Sequence, residues 1–282
     1  MLGIDFGGLD GTPDDDPIED KAPNNFPNSY HGTHVAGIAS AVTNNNIGVA
    51  SIGYNCKILP VKATRNDRRN DSGYPLVYYG YEGIKYAVDM GAKVINCSWG
   101  GYAYSRYGQE IINYAIAKGS LVVAAAGNEN SRLLFYPASY QGVLSVGWLN
   151  TLSDTRHIMA NHGIEIDVMA PGTLILSTWP TITGNYYRSI QGSSMSSPLV
   201  AGLAGLVFSK YPHYTPDQVA ERIRMTCDDI SSENNNEEKF LLGRGRINAG
   251  RALNKGSLIS VRATKIDFYD KGNGNGLFES GE

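Results

Sequence analysis

The sequence predicts an α/β fold in which a mostly parallel sheet is covered by helices on both faces. Short apolar runs alternate with helical patterns between residues 56 and 125, and this alternation is typical of right-handed βαβ units. The strand-like runs are continuously apolar, as expected for strands that are buried on both faces. The 33 glycines and a charged content of 18% fit a globular chain with many tight turns.

The first half of the chain supplies most of this alternation. Residues 8–30 are rich in Asp, Asn, Pro and Gly, which predicts a long surface loop. After it we expect a helix over 31–41, a strand over 56–63, a helix over 75–90, a strand over 92–100, a helix over 109–118 and a strand over 120–128. Gly91 and Gly119 follow two of these helices as stop signals.

The second half continues the same architecture. We expect strands over 142–149 and 164–172, a hairpin of 174–180 with 186–192 around residues 183–185, a buried helix over 194–211 and an amphipathic helix over 216–227. Pro216 stands near the start of the last helix, where proline is favoured. Because the pattern ends near residue 255, we place one domain over 1–255. Residues 256–282 have the composition of a linker or the start of a further domain.

Composition excludes several functional classes. The net charge is −3, and the absence of a basic stripe gives no support for nucleic-acid binding. No apolar run approaches the roughly 18–20 residues of a membrane span, and residues 1–11 do not resemble a signal peptide. We therefore expect either a cytoplasmic protein or an N-terminus that lies further upstream. The three cysteines, Cys56, Cys97 and Cys227, have no short spacing, so we expect buried free thiols.

Three segments carry residues suited to nucleophilic catalysis, residues 31–37, 124–129 and 192–198. Catalysis through a serine needs a nucleophilic hydroxyl, a base for its proton and donors for the developing oxyanion. Ser194 stands at a predicted helix start, where free N–H groups favour negative charge. His31 supplies a base. Asn128 follows a buried strand at its carboxyl end, where open α/β sheets place their sites.

Four blocks of sequence resemble the signature blocks of the subtilisin family of serine peptidases, in that family's order. They are HGTHVAGIAS (31–40), VINCSWGG (94–101), VVAAAGNEN (122–130) and GSSMSSPLVAG (192–202). The resemblance covers about residues 1–255, and four blocks in order make a strong signal. It implies the subtilisin-like three-layer sandwich and endopeptidase cleavage of polypeptide substrates through an acyl-enzyme, with no cofactor required.

The resemblance also implies roles for individual residues. His31 would be the general base and then the general acid, and Ser194 the nucleophile. Asn128 would donate to the oxyanion together with the backbone N–H of Ser194. Ser193, Ser196 and Ser197 are competing serines, which more often act as helix caps. Their position in the family pattern does not match that of the nucleophile.

Further residues are implied to bind the substrate. Ser98, Trp99 and Gly100 would form a strand edge that pairs with the substrate backbone. Trp99 is larger than the usual residue at this place, and the alternative is that its side chain fills core space. Ala125, Ala126 and Gly127 would line the pocket for the side chain before the scissile bond. Phe135 and Glu129 are expected near the base of that pocket. An intruding Phe135 would favour small residues before the cut.

The family pattern lacks one member here, because its catalytic order is Asp, His, Ser. Asp5 is a candidate in the run GIDFG. However, residues 3–37 fit better a later family stretch, in which G-x-D-F precedes an Asp/Asn-rich loop and then HGTHVAG. We therefore expect the triad acid upstream of Met1. Asp5, or another acid of the 9–20 loop, remains an alternative.

The resemblance suggests a structural calcium ion as well. Residues 43–49 (TNNNIGV) resemble a calcium loop of the family, whose carbonyl and Asn oxygens suit a hard cation; an ordinary Asn-rich turn is the alternative. The acidic run 14–16 reads as a solvated loop. The family implies an extracellular or cell-envelope location, and we expect a monomer. The rival hypotheses are a non-catalytic relative that binds peptides and a fragment without independent function.

Overall fold

The computed structural model describes residues 3–7, 13–18, 30–69, 75–180, 184–235, 237–254, 256 and 258–260. The elements are β1 Ile4–Asp5, α1 His31–Ser40, β2 Val61–Lys62, β3 Thr64–Arg69, β4 Pro75–Val77, α2 Gly80–Asp89, β5 Val94–Cys97, α3 Arg106–Ala117, β6 Leu121–Ala125, β7 Leu144–Leu149, β8 Val168–Pro171, β9 Ile175–Thr178, β10 Tyr187–Ile190, α4 Ser193–Lys210, α5 Pro216–Met225 and α6 Ala249–Asn254.

Strands β5 to β8 form a four-stranded parallel sheet in sequence order. The register aligns Ile95 with Val122 and Val146 with Val168. Every residue of β6 and β7 is buried, because helices cover both faces of the sheet. The predicted α/β class and the parallel, continuously apolar strands are therefore confirmed.

Each face of the sheet has its own apolar core. Helices α4, α5 and α6 pack on one face, where Val123, Val146 and Leu203 are fully buried. Helices α2 and α3 pack on the other face around Ile84, Ile112 and Val122. Together the sheet and the two helical layers form a three-layer sandwich, as predicted.

Helix α4 runs through the centre of the molecule and positions the site. It is apolar on all sides, as expected for a helix that is surrounded by protein, and it contacts α1 and all four strands of the central sheet. Gly192 precedes it with a φ of 133°, a conformation that favours glycine. The predicted buried helix over 194–211 is confirmed, with its start one residue earlier at Ser193.

The region between residues 56 and 106 differs in detail from the prediction. Only Val61–Lys62 of the predicted strand over 56–63 forms a ladder, because its partner β1 is two residues long. The predicted helix over 75–90 begins at Gly80 because Pro75–Val77 pairs with β3 instead. Helix α3 begins at Arg106, since the Ser105 side chain caps it by accepting the Gly108 N–H at 3.2 Å.

The structure also bears on the predicted hairpin, the cysteines and membrane spans. Strands β9 and β10 form the expected antiparallel hairpin; residues 181–183 of its turn lie outside the described residues. The three cysteines are free, Cys97 and Cys227 buried and Cys56 half-buried. Among the described helices, none is long and apolar enough to cross a membrane. The boundary predicted at 255 stays a prediction, as residues 261–282 lie outside the described part.

Candidate active site

Ser194 lies at the start of α4, beyond the carboxyl ends of the central strands. It is the second residue of the helix, so its backbone N–H has no acceptor within the helix. Its hydroxyl is half-buried and donates to the carbonyl oxygen of Ser98 at 3.3 Å. The helix start therefore presents a hydroxyl and a free N–H in the same place.

Asn128 is held against this helix start by its side-chain oxygen. The Oδ1 atom accepts the backbone N–H of Ser193 at 2.8 Å and the Ser193 hydroxyl at 3.1 Å. The Gly127 N–H donates to the same hydroxyl at 3.2 Å, and Gly127 has a φ of 107°. Among the described residues, the Asn128 Nδ2 has no hydrogen-bond partner. The amide group thus offers a free donor beside the N–H of Ser194.

His31 is the first residue of α1, which packs against α4. Burial and the neighbouring His34 lower the pKa of His31 to about 4, so its imidazole is neutral at pH 7. Within the described part of the chain, no hydrogen bond joins His31 to Ser194. His34 itself is fully buried and donates from Nε2 to the Arg188 carbonyl at 2.9 Å, which is a structural role.

In the described part of the chain, no hydrogen bond joins Asp5 to His31. Asp5 is buried in β1, where one carboxylate oxygen is ion-paired with Lys62 and the other accepts the Gly7 N–H at 2.7 Å. Both oxygens of Asp5 therefore have other partners in the described residues, and the alternative that Asp5 orients His31 gains no support from its position. Residues 14–16 form an exposed loop, as expected. The remaining acids of the 9–20 loop lie outside the described residues.

The segment 98–101 continues β5 toward the site. Gly101 pairs with Tyr136 through two backbone hydrogen bonds of 2.8 and 2.7 Å. Trp99 is half-buried, with its indole against Gly80 and its ring centroid 5.7 Å from that of Tyr81 in an edge-to-face arrangement. The Trp99 side chain thus fills space under α2, which favours the core-filling alternative. Its backbone, like those of Ser98 and Gly100, still lies along the segment.

A small cleft lies beside this segment, and Ala126, Phe135 and Asn161 are among the described residues that line it. Ala125 and Gly127 are not part of this lining, and Ala125 is a buried strand residue that is 3% exposed. The substrate pocket of Ala125, Ala126 and Gly127 stays a prediction.

Phe135 is one of the residues that line this cleft. Its ring packs on Gly100, leaving no room there for a Cβ atom, and it contacts the Tyr102 ring at a centroid distance of 5.3 Å. Glu129 contacts Asn161, one of the residues that line the cleft, and its place near the base of the substrate pocket stays a prediction. Its carboxylate turns back to accept the Asn128 N–H at 2.7 Å and the Asn161 amide at 3.1 Å.

Two asparagines that support the site were missed by the sequence analysis. Asn161 accepts the N–H groups of Glu129 and Ser131 and donates to the Ala126 carbonyl, so it fixes the loop that carries Asn128. Asn96 bonds to the side chains of Ser98 and Ser197. For Asn96 a signal existed, because a polar residue interrupts an otherwise apolar strand. The position of Asn161 in a loop gave no such signal.

The predicted calcium loop is an exposed turn with left-handed residues at Asn44, Asn46 and Gly48. The Asn45 side-chain oxygen accepts the Ile47 N–H at 3.0 Å, which leaves it a second lone pair. Its oxygen donors suit a hard cation. In the described part of the chain, no group of three or more His, Cys, Asp or Glu side chains is placed to hold a metal.

These observations define an α/β protein with a parallel central sheet, in which a serine hydroxyl and an asparagine amide lie at the start of the buried helix α4. A model of the subtilase family matches residues 10–245, and the chain belongs to this family.

Three relatives illustrate the similarity. Over 201 residues the chain is 42% identical to the thermophilic serine proteinase of Bacillus sp. (strain AK1), covering 71% of this chain and 47% of that protein. Thermitase of Thermoactinomyces vulgaris is 40% identical, with 83% and 77% covered. The solved structure of a Pseudoalteromonas arctica PAMC 21717 protease matches with a TM-score of 0.78 and 31% identity, covering 90% and 83%. The chain spans about half the length of the first of these relatives.

Proposed function

We propose that the protein is a serine endopeptidase that hydrolyses polypeptides through an acyl-enzyme on Ser194. The observation that carries the proposal is the pair of free donors, the Asn128 Nδ2 and the Ser194 N–H, beside one hydroxyl. Two donors that converge next to a nucleophile are what the tetrahedral intermediate of acyl transfer requires. Membership of the subtilase family and the names of the relatives support the same activity.

The chemistry proposed for these residues is conventional acyl transfer. The Ser194 Oγ leaves the Ser98 carbonyl, turns toward His31 and attacks the scissile carbonyl carbon, while His31 accepts its proton. The oxyanion is held by the Asn128 amide and the Ser194 N–H. The C–N bond then breaks as His31 returns the proton to the leaving amine. A water molecule repeats the sequence on the acyl-enzyme and releases Ser194.

The third triad member is proposed to come from upstream of Met1. A pKa near 4 makes His31 a weak base, and a neighbouring carboxylate would raise it. Strand β5 is an edge of the central sheet, and β2 and β5 both pack in the core beneath α2 and α3. A further strand beside β5 would fit between them and carry the acid to His31. An upstream coding sequence without a strand that ends in an acidic residue would contradict this proposal.

The proposed substrate preference is a small residue before the scissile bond, because the Phe135 ring lines the cleft and packs on Gly100. The substrate backbone would pair with residues 98–100 in an extended conformation. Calcium is proposed as a structural ion of residues 43–49, with no part in the chemistry. Calorimetric titration that detects no calcium binding would remove that idea.

A non-catalytic relative that binds peptides along residues 98–100 is the rival function. Hydrolysis of fluorescent casein separates the two. We expect activity for the wild-type protein that includes the proposed upstream acid, a loss of at least about 10³-fold for Ser194→Ala, and retained activity for Ser196→Ala, a buried serine two residues further along the helix. Peptide binding without turnover, equal in wild type and Ser194→Ala, would favour the rival. We further propose a monomer that acts outside the cell or at its envelope, which size measurement and cell fractionation test.

A further inference from the structure

The carbonyl oxygen of Ser194 lacks its normal partner within α4. In an α-helix each carbonyl accepts the N–H four residues later, and four residues after Ser194 is Pro198, which has no N–H. The residue proposed as nucleophile therefore sits in a turn that one missing hydrogen bond weakens.

A side chain from the neighbouring strand replaces this missing bond. The Ser98 hydroxyl donates to the Ser194 carbonyl at 2.9 Å. Since its one hydrogen is used there, the Ser98 oxygen acts as the acceptor for the Asn96 Nδ2 at 2.9 Å. The Asn96 Oδ1 in turn accepts the Ser197 hydroxyl at 2.7 Å. These four residues form a chain of hydrogen bonds in which every donor has a defined direction.

This chain, which we call the Asn96 relay (Ser197, Asn96, Ser98 and Ser194), closes on itself through α4. Ser197 is fully buried one turn after Ser194, and Asn96 is half-buried at the end of β5. The relay thus ties the first turn of α4 to the strand at the edge of the central sheet. The Ser98 backbone also accepts the Ser194 hydroxyl at 3.3 Å, so both polar ends of Ser194 depend on the placement of Ser98.

We infer that Asn96 is a positioning residue for the nucleophile. It acts through Ser98, whose hydroxyl it keeps directed at the Ser194 carbonyl. This inference rests on the proposed function of Ser194. Fixing that carbonyl fixes the peptide plane and Cα of Ser194, and with them the direction of its hydroxyl and of the N–H offered to the oxyanion. Loss of this orientation slows the chemical step without changing the surface that binds substrate.

Asn96→Asp tests the inference because it keeps the shape of the side chain and reverses the direction of its hydrogen bond with the Ser98 hydroxyl. A carboxylate accepts from Ser197 as before, but it has no N–H, so it draws the Ser98 hydrogen away from the Ser194 carbonyl. We expect kcat on a short chromogenic peptide to fall about 10- to 100-fold with KM unchanged. Ser197→Ala, which removes only the far end of the relay, should have a smaller effect in the same direction.

Ser196→Ala is the matched control. Ser196 is equally buried on the same helix, but its hydroxyl donates to the carbonyls of Ala170 and Pro171, outside the relay. It should lose comparable thermal stability and keep the wild-type kcat. If both variants lose kcat in proportion to their loss of stability, the relay has only a structural role and the inference is overturned.

A second readout does not depend on catalysis. A hydrogen bond deshields a carbonyl carbon, so the Ser194 carbonyl ¹³C resonance should move upfield in folded Asn96→Asp and stay in place in Ser196→Ala. An unchanged resonance together with an unchanged kcat overturns the inference. If wild type does not cleave peptides, the proposed function fails while the resonance still decides whether Asn96 controls the Ser194 carbonyl. Should Asn96→Asp not fold, Ser197→Ala provides both readouts.

Discussion

The side-chain oxygen of Asn128 accepts the backbone N–H of Ser193 at 2.8 Å, which joins the end of β6 to the start of α4. This bond fixes the amide orientation, because the oxygen is held and the Nδ2 must face the other way. The neighbouring residue is Ser194. One hydrogen bond between two loops thereby sets the donor that the proposed oxyanion needs.

Asn128→Leu should lower kcat by about 10²- to 10³-fold and leave KM nearly unchanged, which is the usual cost of removing one oxyanion donor. The substitution keeps the volume of the side chain and removes the amide. Steady-state kinetics on a short peptide substrate measure it. A raised KM at constant kcat would instead assign Asn128 to ground-state binding.

For the 282-residue chain, in which no carboxylate of the described residues bonds to His31, the low pKa of His31 predicts a specific loss of stability in acid. The folded pKa is about 4 and the unfolded value about 6.5, so the unfolded chain binds more protons between these values. The contribution of His31 to the free energy of unfolding is unaffected above about pH 6.5 and becomes unfavourable to folding as the pH falls toward 4. Urea denaturation at pH 7 and pH 5 measures this change in the free energy of unfolding.

His31→Gln should lose less stability than wild type over that pH interval, because glutamine does not titrate. His213→Gln, a change at an exposed histidine, is the control and should follow wild type. Equal pH dependence of His31→Gln and wild type would contradict the burial of a neutral His31.

Phe135→Gly should open the cleft to large side chains. The Phe135 ring lines the cleft and packs on Gly100. Its removal frees the space that the ring fills. We expect the ratio of kcat/KM for substrates with Phe to those with Ala before the cut to rise at least about tenfold. Leu134→Gly, at the exposed neighbouring position, should leave the ratio unchanged. A wild-type enzyme that already prefers large aromatics there would refute the proposed preference.

Arg224 and Asp167 form an ion pair of 2.8 Å that joins α5 to the segment before β8, with both side chains largely buried. Arg224 also bonds to Glu221, and Asp167 accepts the Ser145 N–H. Asp167→Ala should cost about 3–5 kcal/mol in the free energy of unfolding, because it leaves a buried guanidinium without this partner.

The exposed pair of Arg106 and Glu110 is the control for this prediction. Glu110→Ala should change stability by no more than about 1 kcal/mol. Denaturant titration compares the two variants, and a similar small effect of both would show that the Arg224 pair is not effectively buried.

The sequence was sufficient to predict those elements that are defined by local pattern. Helix α4 was predicted to within one residue at each end, and strand β6 was predicted at the right place but three residues too long at its end, because continuous apolar runs between glycines leave few alternatives. Strands β3 and β4 were missed, since Thr64–Arg69 is polar and its pairing with Pro75–Val77 depends on a tertiary contact. Helix α2 was consequently predicted to begin too early.

The sequence was enough to predict Ser194 and Asn128 as candidate site residues. It was not enough to predict the side chains that hold them in place. Ser194 and Asn128 stand at recognisable strand and helix ends, and the structure brings them together. The side chain of Trp99 turns under α2, and Glu129 folds back on its own loop, because both depend on neighbours distant in sequence. The Asn96 relay could not be derived from spacing, since its members come from β5 and α4.

The proposed role of Ser194 as nucleophile can be tested by covalent labelling with a fluorophosphonate probe. Mass spectrometry of the modified peptide then identifies the labelled residue. The probe forms a bond with a serine whose hydroxyl is activated. The reaction also needs hydrogen-bond donors for the phosphoryl oxygen of the probe. We expect one label per chain on Ser194, slower labelling of Asn128→Leu and no labelling of Ser194→Ala. A folded wild type that takes no label, or takes it equally when Ser194 is replaced, would contradict this role of Ser194.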